Sequence, residues 1–216
     1  MSDYANGSNV ANPALITGAR VQYTANDVMR WAKAGKVFTA GLGLEATDTD
    51  SVTTEADTTP TYALVSPANS AVFVVPIEVR LALSNDGGGL STFDISVTKA
   101  ASQCATKLVC SGTTLNIQNH LAIGPHTPQS AALLTVTASA LLTTDYIAIA
   151  HQHAVDAALT TGLPLPGAGL EWVVPLLQRF YILTQGAALL VHTYTASSAG
   201  KTVPSITWAE LGETDF

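Results

Sequence analysis

From Tyr62 onwards the chain alternates apolar and polar residues in short runs, which is the pattern of strands with one buried face. In LSTFDISVTKA, Phe93, Ile95 and Val97 alternate with polar neighbours, so a period of two places them on one face of a strand. The run SAVFVVPIEVRLALS predicts a longer strand, in which Pro76 indicates an edge position or a bulge because proline cannot donate to a sheet ladder. Further strands are predicted at 131–138, 144–151, 170–175, 178–184, 187–195 and 203–211.

Turn signals separate these runs. NDGGG at 85–89 is the clearest of them, ATKLVCSGTTLNIQN predicts a hairpin about Ser111 and Gly112, and GLPLPGAG at 162–169 predicts an irregular crossover. About nine or ten short strands with a single convincing helix are typical of an antiparallel sandwich or barrel. The sequence therefore predicts an all-β antiparallel β-sandwich. Among sandwiches we expect a jelly roll, because it accommodates about eight strands with a few long connections.

The beginning of the chain lacks this alternation. Within it, TANDVMRWAKAGKVF predicts one short helix near 26–35, whose apolar stripe includes Val28 and Trp31. The residues around the helix are rich in Asn, Gly and Thr and form no core pattern. We therefore expect an extended N-terminal arm over 1–60, which gains order by lying on another surface, followed by a β-sandwich domain over 61–216.

Composition and charge limit the possible partners. Hydrophobic residues make up 47% of the 216-residue chain and charged residues only 12%, against a usual charged fraction of about 25%. Neutral sheet faces pack against neighbours at little desolvation cost, so the low charge favours assembly. The net charge of −7 argues against nucleic-acid binding, which needs lysine and arginine against phosphates. No apolar run is long enough for a membrane-spanning helix, so we expect no membrane partner.

The two cysteines are interpreted from the compartment that the sequence indicates. The N-terminus shows no basic segment followed by an apolar one, so no secretory signal is expected. A bond between Cys104 and Cys110 would need two strands that fold back on each other. Because disulfides are rare in reducing compartments, free thiols are the favoured interpretation.

Histidines are the first candidates for a metal site. In His151-Gln152-His153, strand alternation places two imidazoles on one face. Zinc would need one or two further ligands from elsewhere in the chain. No spacing signature links the candidates, so strand-end or interface histidines are the simpler interpretation, and we expect no metal and no cofactor. The possible additional ligands are His120, His126, His192, Asp145 and Asp156.

The sequence contains no recognisable catalytic arrangement. Serine, histidine and aspartate are all present, but there is no GxSxG-like nucleophile elbow. GLGLEA at 41–46 follows no strand and has no third glycine, which argues against a dinucleotide site. We therefore expect a non-enzymatic protein with no catalytic residues. Sugar binding stays open, because an exposed tryptophan or tyrosine can stack on a pyranose ring, and the candidates are Trp172, Trp208, Tyr146 and Tyr194.

The stretch AALLVHTYTASSAGKTVPSITWAEL carries four side chains that would form a site in another protein, namely His192, Tyr194, Trp208 and Glu210. Alternation places His192 and Tyr194 on one face of the first strand and aliphatic residues on the other. We expect the two strands of this stretch to pair or to lie in facing sheets, with Trp208 as a packing anchor. The residues expected at subunit contacts are Val28, Trp31, His192, Tyr194 and Trp208.

The segment RFYILTQGAALLVHTYTASSAGKTVPSITWAEL, residues 179–211, resembles the C-terminal strand pair of virion structural proteins from tailed bacteriophages. In those proteins a strand like GAALLV and a final strand like SITWAEL close a small β-sandwich. The Ala-, Thr- and Gly-rich composition and the extended N-terminal arm are also similar to phage head and decoration proteins. The resemblance covers roughly the last forty residues closely, and it carries no catalytic motif.

This resemblance implies a building block of a virus particle that is assembled in the host cytoplasm and functions in the virion. We expect a capsid decoration or cement protein, a homotrimer that binds other virion proteins such as the major capsid protein of the phage head. A receptor- or glycan-binding module of a tail or head fibre is the alternative. A jelly-roll shell protein is a third possibility.

Overall fold

The computed structural model describes one α-helix and fourteen strands. The residues that it describes are 16–17, 20–21, 25–41, 49–50, 56–68, 71–86, 90–122, 124, 126–155, 171–179, 181–195 and 200–215. The predicted turn at 87–89 and the predicted crossover at 162–169 lie outside these residues.

The helix is α1 (Ala25–Lys33). The first seven strands are β1 (Ile16–Thr17), β2 (Arg20–Val21), β3 (Val37–Gly41), β4 (Thr49–Asp50), β5 (Tyr62–Val65), β6 (Phe73–Asp86) and β7 (Leu90–Thr98). The last seven are β8 (Cys110–Thr114), β9 (Asn116–Asn119), β10 (Ala131–Ala138), β11 (Tyr146–Val155), β12 (Glu171–Pro175), β13 (Ala188–Thr195) and β14 (Gly200–Leu211). Short 3-10 helices occur at Ala101–Gln103, Leu177–Arg179 and Glu213–Asp215.

Twelve of the strands form two antiparallel sheets, while β1 and β2 pair only with each other. The first sheet has the order β11-β7-β13-β5-β10-β8. The second has the order β12-β6-β14-β3-β9, and β4 adds to it by pairing with β14. The predicted all-β antiparallel β-sandwich is therefore confirmed.

The eight central strands pair in a nested order. The outermost pair is β3 with β14, the next is β5 with β13, then β6 with β12, and the innermost is β7 with β11. Successive pairs alternate between the two sheets. As a result, the first and the last of these strands lie side by side in the second sheet, and most neighbouring strands are distant in sequence.

The core between the sheets forms as the alternating pattern predicts. Leu189 and Val191 of β13 contribute to it from the first sheet, and Phe38 and Trp208 contribute from the second. The rings of Phe38 and Trp208 have their centroids 6.0 Å apart. The expectation that β13 and β14 lie in facing sheets, with Trp208 as a packing anchor, is thus confirmed.

An insertion between β7 and β11 extends both sheets at one edge. Here β8 pairs with β10 in the first sheet, and β9 continues directly into the second sheet beside β3. The predicted hairpin about Ser111 and Gly112 is therefore wrong. Gly112 lies in a strand where it passes close to β10, since a Cβ at this position would stand 2.6 Å from the carbonyl oxygen of Leu134. The neighbouring Thr135 has a positive φ of 51° at an irregularity in the register of β10.

Two further strand predictions have different outcomes. The described residues of 178–184 form no strand; a 3-10 helix occupies Leu177–Arg179, and Leu183 makes an isolated bridge with Val74. Pro76 lies in the central strand β6, not at an edge, but the register of β14 shifts beside it, so the predicted bulge is confirmed. A bulge tolerates proline because the ladder is locally interrupted there.

The helix α1 packs on the outer face of the second sheet. It ends in a Schellman motif, in which the Gly35 N–H donates to the Ala32 carbonyl and the Lys36 N–H donates to the Trp31 carbonyl, both at 2.9 Å. Gly35 has the positive φ, 73°, that this cap requires. Trp31 is 2% exposed and is the centre of a small apolar cluster. The cluster's other buried members are Val37, Val75, Ala209 and Leu211, and its partly buried ones include Val28 and Ala32.

The predicted boundary at residue 60 differs from the structure in one respect. β3 lies between β14 and β9 inside the second sheet, and α1 covers that sheet, so residues 25–41 belong to the sandwich. The alternating pattern is too short in VFTAG to predict this strand. Residues 1–15 of the predicted arm lie outside the described residues.

Two N-terminal deletions test whether residues 25–41 belong to the sandwich or to a separate arm. Removing residues 2–24 should leave a cooperatively folding sandwich, since β1 and β2 pair only with each other. Removing residues 2–41 should abolish folding, because it strips β3 from β14 and removes Trp31 from its cluster. Circular dichroism during thermal unfolding and size-exclusion chromatography measure both outcomes. Cooperative unfolding of the longer deletion at an unchanged temperature would contradict this assignment of β3.

Replacing Gly112 with alanine tests the close approach of β8 and β10. The added methyl group meets a backbone oxygen, which cannot rotate away, so we expect Gly112→Ala to lower the free energy of unfolding by about 1–3 kcal/mol. Gly212→Ala is the matched control, because its Cβ would lie at an ordinary 3.5 Å from the Asp215 carboxylate. The control should change stability by no more than about 0.5 kcal/mol in urea unfolding. Equal effects of the two substitutions would disprove the packing argument.

Candidate functional site

A row of three ionisable side chains crosses the outer face of the first sheet. Asp94 of β7 lies opposite His151 of β11 on one side and opposite His192 of β13 on the other. Its neighbours Phe93 and Ile95 are buried between the sheets, so Asp94 is directed outward. Nδ1 of His151 and Oδ1 of Asp94 are in direct hydrogen-bond contact. Sheet pairing thus places one carboxylate between two imidazoles.

A β-bulge directs His151 to this outer face. The register of β11 against β7 shifts between Ala148 and Ala150, which makes Ile149 an extra residue. Ile149 and Ala150 both contact the core between the sheets, and His151 then faces outward. The Arg179 guanidinium donates to the carbonyl oxygen of Ile149 at this bulge. Without the extra residue, alternation would turn His151 towards the core.

His192 is the most buried member of the row, with 6% of its surface exposed. Its ring stacks on Tyr194, with centroids 5.9 Å apart and an angle of 15° between the planes. Nε2 has no hydrogen-bond partner among the residues that the structure describes. An unpaired buried polar atom costs about 1–3 kcal/mol, so Nε2 requires an explanation.

Burial lowers the pKa of His192 below its ordinary value of about 6.5. The dominant cause is desolvation, which penalises the charged imidazolium. The negative charge of Asp94, the hydrogen bond to the Asp57 backbone and the charge of Asp57 act in the opposite direction but are weaker. The lowered pKa favours the neutral ring, in which one nitrogen carries a proton and the other presents a lone pair.

A cavity of about 190 Å³ opens beside this row. Asp57 lies at its rim, in the segment before β5. Its Oδ2 accepts the N–H of Leu141 at 2.9 Å, which joins this segment to the loop before β11. The lining combines two carboxylates, two imidazoles and two tyrosines with small and aliphatic residues. The lining residues are Asp57, Asp94, Ile95, Ser96, Leu141, Tyr146, Ala148, Leu190, His151, His192 and Tyr194.

The residues expected at subunit contacts fall into two groups. Trp31 and Trp208 are buried inside this chain, so their side chains present no surface to a neighbour, and Val28 packs against the cluster beneath α1. His192 and Tyr194 share the outer face of β13, as alternation predicts, and both line the cavity. The structure therefore brings together only the second group.

Glu210, the remaining candidate of the C-terminal stretch, is engaged in structural contacts. Oε1 accepts the N–H of Ser130 at 2.9 Å and the indole N–H of Trp208 at 3.1 Å. Oε2 accepts the N–H of Gln129 at 2.8 Å. Both oxygens of this carboxylate thus hold the start of β10 against β14. The Glu210 carboxylate therefore has a structural role and is not part of the candidate site.

Three of the other candidate ligands, His120, His126 and Asp145, do not join the row. The ring of His120 bonds to the Thr39 hydroxyl at 2.5 Å, on the second sheet. Asp145 is 2% exposed, and its Oδ2 accepts the N–H groups of Ala105 and Leu142. His126 lines a different cavity from that of His192, and Asp156 lies outside the described residues. Among the residues that the structure describes, no group of three or more histidine, cysteine or acidic side chains is placed to hold a metal ion.

Both cysteines are free thiols in the structure, as the favoured interpretation has it. Cys104 lies in the loop before β8 and is buried, and Cys110 begins β8 and is partly buried. Burial raises the pKa of Cys110 to about 11, and the nearby Cys104 adds to the effect. Desolvation likewise raises the pKa of Cys104, with the charge of Asp145 acting in the same direction. Such thiols are poor nucleophiles at neutral pH.

Sequence reasoning missed Asp57 and Asp94 as members of the site. Asp94 was predicted on the polar face of its strand, but the register that sets it between His151 and His192 involves residues 57 and 98 positions away in sequence. Asp57 belongs to an acidic stretch that gives no sign of the histidine it meets. Of the aromatic candidates for sugar binding, Tyr146 and Tyr194 line the cavity. Trp172 stacks instead on Phe93, with centroids 5.6 Å apart.

No protein-family model, no curated protein and no solved structure matches this chain. Within the described part of the chain, no helix has the length and apolar character needed to span a membrane. The site is therefore interpreted from its own geometry.

The buried, neutral state of His192 predicts a pH dependence of stability. Below about pH 6.5 the unfolded chain binds a proton at this residue and the folded chain does not, so the free energy of unfolding falls as pH falls. This residue contributes a loss of at most about 1.4 kcal/mol per pH unit, until the folded protein also takes up the proton. Urea unfolding between pH 7.5 and 4.5 measures this loss in the free energy of unfolding. Ordinary carboxylates titrate at about pH 4, so they stay largely ionised over this range.

His192→Asn is the control for this pH dependence. Asparagine keeps a side-chain N–H but does not titrate. The variant should be less stable at pH 7.5 and should show a flatter profile between pH 6.5 and about 5. Parallel profiles for the two proteins would contradict the assignment of this pH dependence to His192.

Proposed function

We propose that this chain is a non-enzymatic virion structural protein, a capsid decoration or cement protein that oligomerises, as a homotrimer, and binds the phage head shell. The sandwich is proposed to be a jelly roll. The nested pairing of first with last and second with second-last strands supports this, since it is the result of rolling one long antiparallel ribbon into two sheets. The virion assignment rests on the resemblance of residues 179–211 to phage structural proteins.

The observation that carries the assembly proposal is an uncharged groove on the outer face of the second sheet. The groove lies along β9, β3 and β14, and no ionisable side chain lines it among the described residues. Removing small neutral groups from water costs little, so such a face can pack against another neutral surface without charge pairing. The lining residues are Thr39, Gly41, Asn116, Gln118, Val203, Pro204 and Ser205.

The mechanism is mechanical. A closed oligomer repeats each weak contact with the shell, so that several small contributions add to one stable attachment. The segment before α1 is proposed to extend over a neighbouring shell subunit and to add a further contact per copy. Because α1 and β3 belong to the sandwich, this arm would end near residue 24.

Introducing a charge into the groove tests the assembly. Ser205→Arg places a guanidinium on the outward face of β14, and we expect the oligomer to dissociate to monomers in size-exclusion chromatography with light scattering. The same variant should bind phage heads at least tenfold more weakly in co-sedimentation, since multivalency is lost. Ser102→Arg adds the same charge at an exposed position of the 101–103 turn and should behave as wild type.

The location of the protein on the particle tests the virion assignment. Immunogold labelling of phage particles that carry the gene should show labels distributed over the head. Labels confined to the tail or its fibres would contradict decoration, and so would their absence from particles.

A wild-type protein that stays monomeric at micromolar concentration would refute the proposed oligomer.

A further inference from the structure

The cavity on the first sheet is lined by a histidine with a ring nitrogen that the described residues leave unpaired. His192 is more than nine-tenths buried and lines the cavity, and no described residue bonds to its Nε2. In a neutral imidazole a ring nitrogen either donates through its N–H or accepts through its lone pair. A hydroxyl group of a ligand satisfies Nε2 in both cases, because a hydroxyl both donates and accepts.

The charges around the cavity restrict that ligand. Asp57 and Asp94 both line it, and among the described residues the other ionisable groups of its lining besides tyrosine are His151 and His192. His151 is already in contact with Asp94. An anion would meet two carboxylates with no uncommitted cation, so phosphates, sulfates and acidic sugars are disfavoured. Acceptors therefore predominate in this lining.

The apolar part of the lining consists of aromatic rings and aliphatic side chains. Tyr146 and Tyr194 contribute aromatic rings, and Leu141 and Leu190 contribute aliphatic surface beside them. Aromatic rings with acceptors at their edges suit a ligand with C–H groups on its faces and hydroxyl donors around its rim. The volume of about 190 Å³ is below the range of about 300–1,000 Å³ that holds drug-sized ligands, so one ring fits and a chain of rings does not.

We propose that this cavity binds a single neutral pyranose, the exposed sugar residue of a glycan. One sugar hydroxyl bonds to Nε2 of His192, other hydroxyls donate to the carboxylates of Asp57 and Asp94, and the ring lies against a tyrosine. This site goes beyond the proposed assembly function and does not depend on it, since the cavity and the neutral groove lie on different sheets.

Binding of simple glycosides to the full-length protein tests the proposal. The probes are the methyl pyranosides of glucose, galactose and mannose at millimolar concentration, observed by saturation-transfer NMR and by the imidazole nitrogen resonances of the protein. At least one pyranoside should bind and should move the Nε2 resonance of His192, with a smaller change at Nδ1. Glucuronate should bind at least tenfold more weakly, because of the two carboxylates.

Two variants localise the interaction. His192→Asn removes the imidazole and its unpaired Nε2, so affinity should fall about tenfold. His120→Asn makes the same replacement on the second sheet and should leave affinity unchanged. Asp94→Asn removes a carboxylate of the lining while the His192 side chain is retained, and it should also weaken binding. Thermal unfolding of each variant establishes that it is folded.

Three results would overturn the proposal. The first is no binding of any neutral pyranoside to the folded wild type at millimolar concentration. The second is binding that survives both His192→Asn and Asp94→Asn, since the sugar would then lie elsewhere. The third is preferential binding of a simple primary amine such as butylamine, which would make the cavity a cation site. These measurements do not require the oligomer, because the cavity lies within one chain. They stay interpretable if the oligomer fails to form.

Discussion

The pairing of β14 with β3 and with β6 is the contact on which the rest of the structure depends. It joins the first and the last of the nested strands and places Trp208 in the core between the sheets. Glu210, at the end of the same strand, holds the start of β10 through two backbone N–H groups. Because these partners are far apart in sequence, loop-closure entropy opposes each contact until the whole nest has formed. Changes in β14 should therefore affect both sheets.

Each sheet leaves an outer face, and the chain covers the two faces differently. On the second sheet, α1 covers one end with the Trp31 cluster and leaves a neutral groove beyond it. On the first sheet, the loops at 99–109 and 139–145 form a second apolar layer over β5, β10 and β13. The cavity lies at the edge of this layer, beside β7 and β11. One fold thus provides a neutral groove and a small polar pocket, which suit different kinds of partner.

The strands and their faces could be predicted from sequence because a period of two is a local property. The strand at 131–138 has the predicted bounds, and both faces of β13 are as expected. Gly112 shows the limit of this reasoning. A glycine between polar residues is typical of a turn, but here it permits a close approach to β10, which depends on a strand about 20 residues away. Likewise, VFTAG is too short to predict that β3 completes the sheet.

The candidate site could not be predicted, because it is built by register and by an irregularity. Alternation correctly placed His192 outward, and it placed Asp94 on a polar face. It gives no means of aligning β7 with β11 and β13, which is what sets Asp94 between the two histidines. The extra residue Ile149 is needed as well, since it reverses the facing of His151.

The bulge and the buried imidazole point to the same conclusion about this face. A regular β11 would preserve more ladder hydrogen bonds, and an aliphatic residue at position 192 would remove an unpaired polar atom from the interior. Both departures lower stability, and both lie at the edge of one cavity. Stability is gained instead in the core around Trp208 and in the cluster beneath α1, where large side chains are fully packed. Two departures that meet at the edge of one opening are expected where a surface has a binding role.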